Sequence, residues 1–154
     1  MVPIHLLVVD DEELFVKTIN ERLRERGFTV SGAHSGQEAL DQVAGDDTLE
    51  VIILDIAMPG MGGIETLKMI KNKRPLIEII MLTGKSTVNS AVEAMKLGAF
   101  DYVSKPCDLD ELIAKIKAAA ERKRDRERRI LEARTKPYIS EHERDESISK
   151  ILNS

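Results

Sequence analysis

Four apolar runs in this chain each end on a polar side chain, and that pattern narrows the folds open to it. Leu6-Leu7-Val8-Val9 runs into Asp10-Asp11, and Val51-Ile52-Ile53-Leu54 into Asp55. Ile79-Ile80-Met81-Leu82 runs into Thr83, and Phe100-Asp101-Tyr102-Val103-Ser104 into Lys105. A continuous aliphatic run such as 50–55 suits a strand buried on both faces, as in a parallel sheet covered by helices. In an open sheet of that kind all strand C-termini share one edge, the edge where ligands bind. The sequence therefore brings three carboxylates, a hydroxyl and an ammonium to one crevice.

Between the runs lie segments of helical period, which predict βαβ units. Strands are expected at about 4–9, 28–33, 50–55, 77–82 and 100–104. The segment 12–26 carries Leu14, Phe15, Ile19 and Leu23 on one stripe and stops at Gly27. Ser35-Gly36-Gln37-Glu38 has the capping-box pattern and opens a helix through Val43. After the loop Met58-Pro59-Gly60-Met61-Gly62-Gly63, a third helix turns Ile64, Leu67 and Ile70 inward. The fourth does so with Val88, Ala91, Val92 and Met95 and ends at Gly98. Asp108 to Glu111 caps a fifth, with Leu109, Leu112, Ile113 and Ile116 as its stripe. Periodicity alone leaves two strand orders open for such a sheet.

Past residue 120 the helix is expected to continue with nothing to bury. The Arg-rich run 122–129 reads as a solvated face ahead of a dimerising or partner-binding helix or a nucleic-acid contact. Lys123, Arg126 and Glu127 fall where a coiled-coil seam needs apolar groups. Pro137 is expected to end the helix near Arg134 or Thr135. Ser140-Glu141-His142-Glu143 then opens a short amphipathic helix with Ile148, Ile151 and Leu152. The net charge of −4 divides into −6 over residues 1–120 (13 basic, 19 acidic) and +2 over 121–154 (10 basic, 8 acidic). The interspersed acids of the tail and the absence of Trp argue against direct nucleic-acid binding. No run reaches the ~18 apolar residues of a membrane span. The single cysteine, Cys107, allows no internal disulfide, so a cytoplasmic setting is expected. His5, His34 and His142 have no metal-ligand spacing.

Clustered carboxylates repel unless a cation joins them, and hard oxygen donors suit Mg²⁺ with part of its water shell retained. Asp55, alone at the tip of the most buried strand, is the expected nucleophile, with Asp10 and Asp11 placed to hold the metal. Lys105 and Thr83 complete a receiver for a phosphoryl group, where positioning and charge neutralisation do most of the work.

The same residues carry a family resemblance. Val8-Val9-Asp10-Asp11-Glu12, Leu54 to Gly63, Leu82-Thr83-Gly84 and Tyr102-Val103-Ser104-Lys105-Pro106 resemble the receiver domain of two-component response regulators, over about residues 3–121. The resemblance implies a flavodoxin-like fold, an α/β doubly wound five-stranded parallel sheet of order 2-1-3-4-5 with five helices. The last helix is expected to extend into a helical tail, giving a receiver over 1–121 and a tail over 122–154 with a break near Pro137. It implies that Asp55 accepts a phosphoryl group from a sensor histidine kinase or phosphotransfer protein. Asp11 and Asp55 would bind Mg²⁺ by side chain and Ala57 by its backbone carbonyl, with Asp10 acting through water. Lys105 would bridge to the phosphate, Thr83 and Tyr102 would form the switch pair, and Lys105-Pro106 would be cis. Ala57 and Lys85 match the positions that tune phosphate lifetime. The implied output face is residues 86–120, acting on a partner protein or through a phosphorylation-dependent homodimer. A stand-alone regulator is favoured over a receiver and linker cut from a longer transcriptional regulator. An aspartyl phosphohydrolase, the reading from another class, is disfavoured because Ala57 stands where such enzymes carry a second Asp.

Overall fold

The computed structural model describes residues 2–84, 88–136 and 140–153. Lys85 and Pro137 lie outside the described residues, as does the side chain of Val88. Five strands alternate with helices: β1 (His5–Val9), α1 (Glu13–Glu25), β2 (Thr29–Ala33), α2 (Gly36–Gly45), β3 (Val51–Asp55), α3 (Gly63–Lys73), β4 (Glu78–Thr83), α4 (Val88–Lys96), β5 (Asp101–Ser104), α5 (Leu109–Thr135) and α6 (Glu141–Asn153). The strands pair in parallel in the order β2-β1-β3-β4-β5. The reversal of winding between β1 and β3 creates the switch point of the sheet.

Strands β3 and β4 are buried throughout because both faces are covered. On one side α1 and α5 pack Val16, Ile19, Leu23, Leu112 and Ile116 against Val8, Ile53 and Leu82. On the other, α2, α3 and α4 bring Leu40, Val43, Leu67, Ile70, Ala91 and Ala94 against Leu7, Leu54 and Ile79. Local signals fix the helix ends. Ser35 Oγ accepts the Glu38 amide at 3.1 Å, Asp108 accepts those of Asp110 and Glu111, and Ser140 Oγ accepts that of Glu143 at 3.1 Å. Gly27 closes α1 at φ +92°, a conformation that glycine adopts without Cβ strain. The Lys105-Pro106 bond is cis.

Two helical stripes differ from the expectation. In α1, Leu14 is exposed while Val16 and Asn20 are buried with Ile19 and Leu23. Among the described side chains of α4, Ala91 and Ala94 are buried while Val92 and Met95 face outward. Small residues on the inner face let α4 lie close to the sheet, which leaves Val92 and Met95 outside.

The tail departs further. The helix α5 continues to Thr135 and a second helix follows, as the sequence predicts, but the tail is not a solvated face with nothing to bury: α5 buries Lys123, Arg126, Ile130 and Ala133, with α6 packed along it through Ile151. The reason is electrostatic as well as apolar. Arg124 reaches Glu50 at 2.7 and 2.8 Å, while Arg122 and Arg126 reach Glu78 at 3.3 and 3.5 Å. Lys71 joins Glu78 at 3.1 Å. Glu50 and Glu78 stand at the N-terminal ends of β3 and β4, so the arginines of the tail neutralise the base of the sheet.

Candidate functional site

The site residues come from four strand ends at the opposite edge. Asp10 follows β1, and its amide donates to the Ala33 carbonyl at 3.1 Å. Asp55 is the last residue of β3, opposite Leu82 in register. Thr83 ends β4, and the Lys105 amide donates to its carbonyl at 2.8 Å. Strand hydrogen bonds therefore determine where each functional side chain leaves the sheet. Gly63 opens α3 flush against β3: a Cβ there would collide with the Asp55 carbonyl oxygen.

Asp10, Asp11 and Asp55 come together, with one carboxylate oxygen from each lying within 4.8 Å of the others. Asp10 is fully buried, Asp55 nearly so, and Asp11 is exposed. The Lys105 ammonium pairs with Asp10 and lies 3.5 Å from Glu12 and 3.9 Å from Asp55. The remaining bonds orient the carboxylates. Asp10 Oδ1 accepts the Glu12 amide at 3.0 Å, and Asp55 Oδ1 accepts the Ala57 amide at 3.3 Å. Burial, with the charge of Asp10 beside it, pushes Asp55 up to about 6 despite the opposing pull of Lys105. Burial works to lower Lys105, but its bond and charge pairing with Asp10 prevail and hold it above its ordinary value.

A crowded acidic group whose central member resists ionisation fits a divalent cation with hard oxygen ligands. Ala57, exposed two residues after Asp55, offers its backbone at the same rim. Thr83 is buried, with its hydroxyl 3.5 Å from the Val103 carbonyl. Tyr102 is 46% exposed, its ring 5.5 Å from the Lys115 ammonium. A cavity of about 440 Å³ bounded by Thr83, Ala91, Val92, Tyr102 and Lys105 lies between the two.

Sequence reasoning passed over two neighbours. The Phe15 ring lies 4.6 Å from the Lys105 ammonium and shields its stem, a contact between α1 and the β5–α5 turn that no local pattern signals. His34, read as incidental, places Nδ1 3.2 Å from the Asp10 carbonyl at the end of β2. Its place just after a predicted strand was the available clue. Cys107 is half-buried, and burial pushes its thiol up, so it lacks the activation of a reactive cysteine.

A parallel sheet of this order with an acidic crevice at its switch point defines a flavodoxin-like α/β domain. Comparison with known proteins makes the class specific. Residues 6–117 match the family model described as "Response regulator receiver domain". The chain belongs to that family. It is 41% identical over 116 residues to transcriptional regulatory protein ZraR of Escherichia coli, covering 75% of this chain and 26% of that protein. It is 34% identical over 115 residues to transcriptional regulatory protein YkoG of Bacillus subtilis, covering 75% and 50% respectively. The chain thus spans between a quarter and a half of these relatives. Among solved structures, a receiver domain protein from Clostridium thermocellum superposes with a TM-score of 0.76 at 34% identity, covering 79% of this chain and 97% of that one. The receiver domain of NtrX from Brucella abortus does so with 0.71 at 30%, covering 75% and 98%.

Proposed function

We propose that this chain is a phosphorylation-controlled switch in which Asp55 accepts a phosphoryl group from a phosphohistidine on a sensor kinase or phosphotransfer protein. The observation that carries the reading is a nearly buried carboxylate, 3.9 Å from an ammonium and grouped with two further carboxylates, at the tip of β3. An Asp55 oxygen forms the new bond to phosphorus as the phosphorus–nitrogen bond breaks, and the leaving histidine keeps the electron pair and gains a proton. The side chains of Asp11 and Asp55 and the Ala57 carbonyl would hold Mg²⁺, with Asp10 acting through water and through Lys105. The ion supplies positive charge against the acceptor and the phosphoryl oxygens. Lys105, already between Asp10 and Asp55, follows the phosphate oxygen.

The Thr83 hydroxyl then turns from the Val103 carbonyl toward the phosphate, and Tyr102 moves into the cavity beside it. The added charge biases a two-state element. The surface that changes is α4-β5-α5, whose exposed Val92, Met95, Leu97 and Tyr102 suit a protein partner or a second copy. Residues 1–121 act as the phosphoacceptor unit and 122–154 as its helical extension. The chain assists only its own phosphorylation and dephosphorylation, acts in the cytoplasm, and works as a regulator alone or as the input part of a longer transcriptional one. Acetyl phosphate with Mg²⁺ tests this by intact mass: one phosphoryl group is expected on wild type and none on Asp55→Asn. Equal labelling of the two removes Asp55 from the role.

A further inference from the structure

Within the buried face of α5, which also holds Ala120, the residues Ile116, Ala119, Lys123, Arg126, Ile130 and Ala133 follow one another in steps of three and four. That 3.5-residue spacing is the seam of a helix pair. Ile116 and Ala119 pack on the sheet side, and from Lys123 onward the seam runs beneath α6. The apolar contribution of α6 is thin, since Ile151 is its one buried hydrophobic residue among those described, with Ile148 and Leu152 partly covered.

Arg126 supplies what the apolar contact lacks. Its side chain is 5% exposed, and its guanidinium donates to the Ile151 carbonyl at 3.2 Å and to the Leu152 carbonyl. A third nitrogen lies 3.5 Å from Glu78. Carbonyls in the last turn of a helix have no partner within it and carry the negative end of its dipole. The guanidinium fork therefore ties the end of α6 to a buried carboxylate at the base of the sheet. Lys123, also buried, pairs with Glu127 on its own helix.

Pairing of this seam with a second copy has a different outcome. In a parallel, in-register pair Lys123 would meet Lys123 and Arg126 would meet Arg126, two like-charged layers removed from water. Arg126 reaches the Ile151 and Leu152 carbonyls only in the self-docked arrangement. We propose that Lys123 and Arg126 key the α5 seam to the α6 of the same chain and against a second copy, so that charge rather than apolar area selects the docked tail.

The test uses the full unphosphorylated chain, with sedimentation velocity over a wide concentration range and amide exchange across α6. Wild type and Arg126→Lys are expected to be monomers with α6 protected. The double variant Lys123→Leu/Arg126→Leu is expected to lose about tenfold or more of α6 protection and to dimerise with rising concentration. A double variant that stays monomeric with wild-type protection overturns the proposal. Ile151→Asp leaves α5 and the sheet untouched and guards against misfolding. It is expected to free α6 yet remain monomeric, because both cations still oppose pairing. If Ile151→Asp dimerises through the seam, shown by a disulfide from Ala133→Cys in a Cys107→Ser background, charge does not make the selection.

Discussion

At the C-terminal end of β3, Asp55 shares its surroundings with two more carboxylates and one ammonium. Beside the N-terminal end of the same strand, Glu50 faces the fork of Arg124, and on the adjacent β4 Glu78 gathers Lys71, Arg122 and Arg126. One end of the sheet has an excess of acid and the other an excess of base. The carboxyls respond accordingly. Burial and Asp10 push Asp55 up to about 6, whereas for Glu50 the pull of burial is outweighed by Arg124 and the His5 amide, which hold it below the usual range. Acidic residues at two ends of one strand thus do different jobs. The acid-rich end is the one proposed to take a cation and a phosphoryl group, and the base-rich end fastens the tail.

The largest expected effect at the base comes from Glu78→Ala, which removes the buried carboxylate shared by Lys71, Arg122 and Arg126. Removing one partner of a buried ion pair costs about 3–5 kcal/mol, so urea denaturation is expected to register a loss in that range. A loss below about 1 kcal/mol, the worth of a surface pair, breaks the contrast between the ends.

At the opposite end the sign reverses. Because Asp55 is held near 6, above its ordinary value of 3.8, the folded chain binds that proton more tightly than the unfolded chain. Stability from this group is complete below about 4 and is lost as pH rises through about 6. Without metal, Asp55→Asn is therefore expected to stabilise the fold by about 1–3 kcal/mol at pH 7–8. That advantage should shrink toward pH 4, as read from denaturation midpoints across pH. A destabilised Asn variant under those conditions removes the claim of excess acid.

Glu50 shifts the other way. Its depressed value means that the stability it lends is present above the ordinary carboxylate range and is lost as pH falls through the folded value. Arg124 is more than a third exposed, so screening limits the effect to about 1 kcal/mol. Glu50→Gln is expected to flatten the acid limb of the stability curve without altering phosphoryl uptake. The smallest expected effect is at Leu14, 76% exposed. Leu14→Ser should change stability by no more than about 0.5 kcal/mol, as for a surface site, against several kcal/mol had it lain in the core stripe.

The contrast also marks what a sequence carries. Asp10, Asp55, Thr83 and Lys105 each follow an apolar run, and a parallel sheet turns that local rule into a shared edge. Fold and crevice were legible for that reason. In α4 the pattern finds Ala91 but not Ala94, because hydrophobicity favours Val92 and Met95 whereas close packing on the sheet selects the small residue. The base was not legible at all. Glu50 is 74 residues from Arg124 and Glu78 is 48 from Arg126, and no period links them. An arginine run without visible partners reads as solvated until the return of α5 beneath the sheet is known.

The most direct measurement locates the phosphoryl group itself. Wild-type chain treated with acetyl phosphate and Mg²⁺, then reduced with borohydride, converts an aspartyl phosphate to homoserine that tandem mass spectrometry assigns to a residue. The expected result is homoserine at position 55 alone, absent when Mg²⁺ is chelated. Homoserine at position 10 or 11, or labelling indifferent to Mg²⁺, would contradict the role given to the acid-rich end of the sheet.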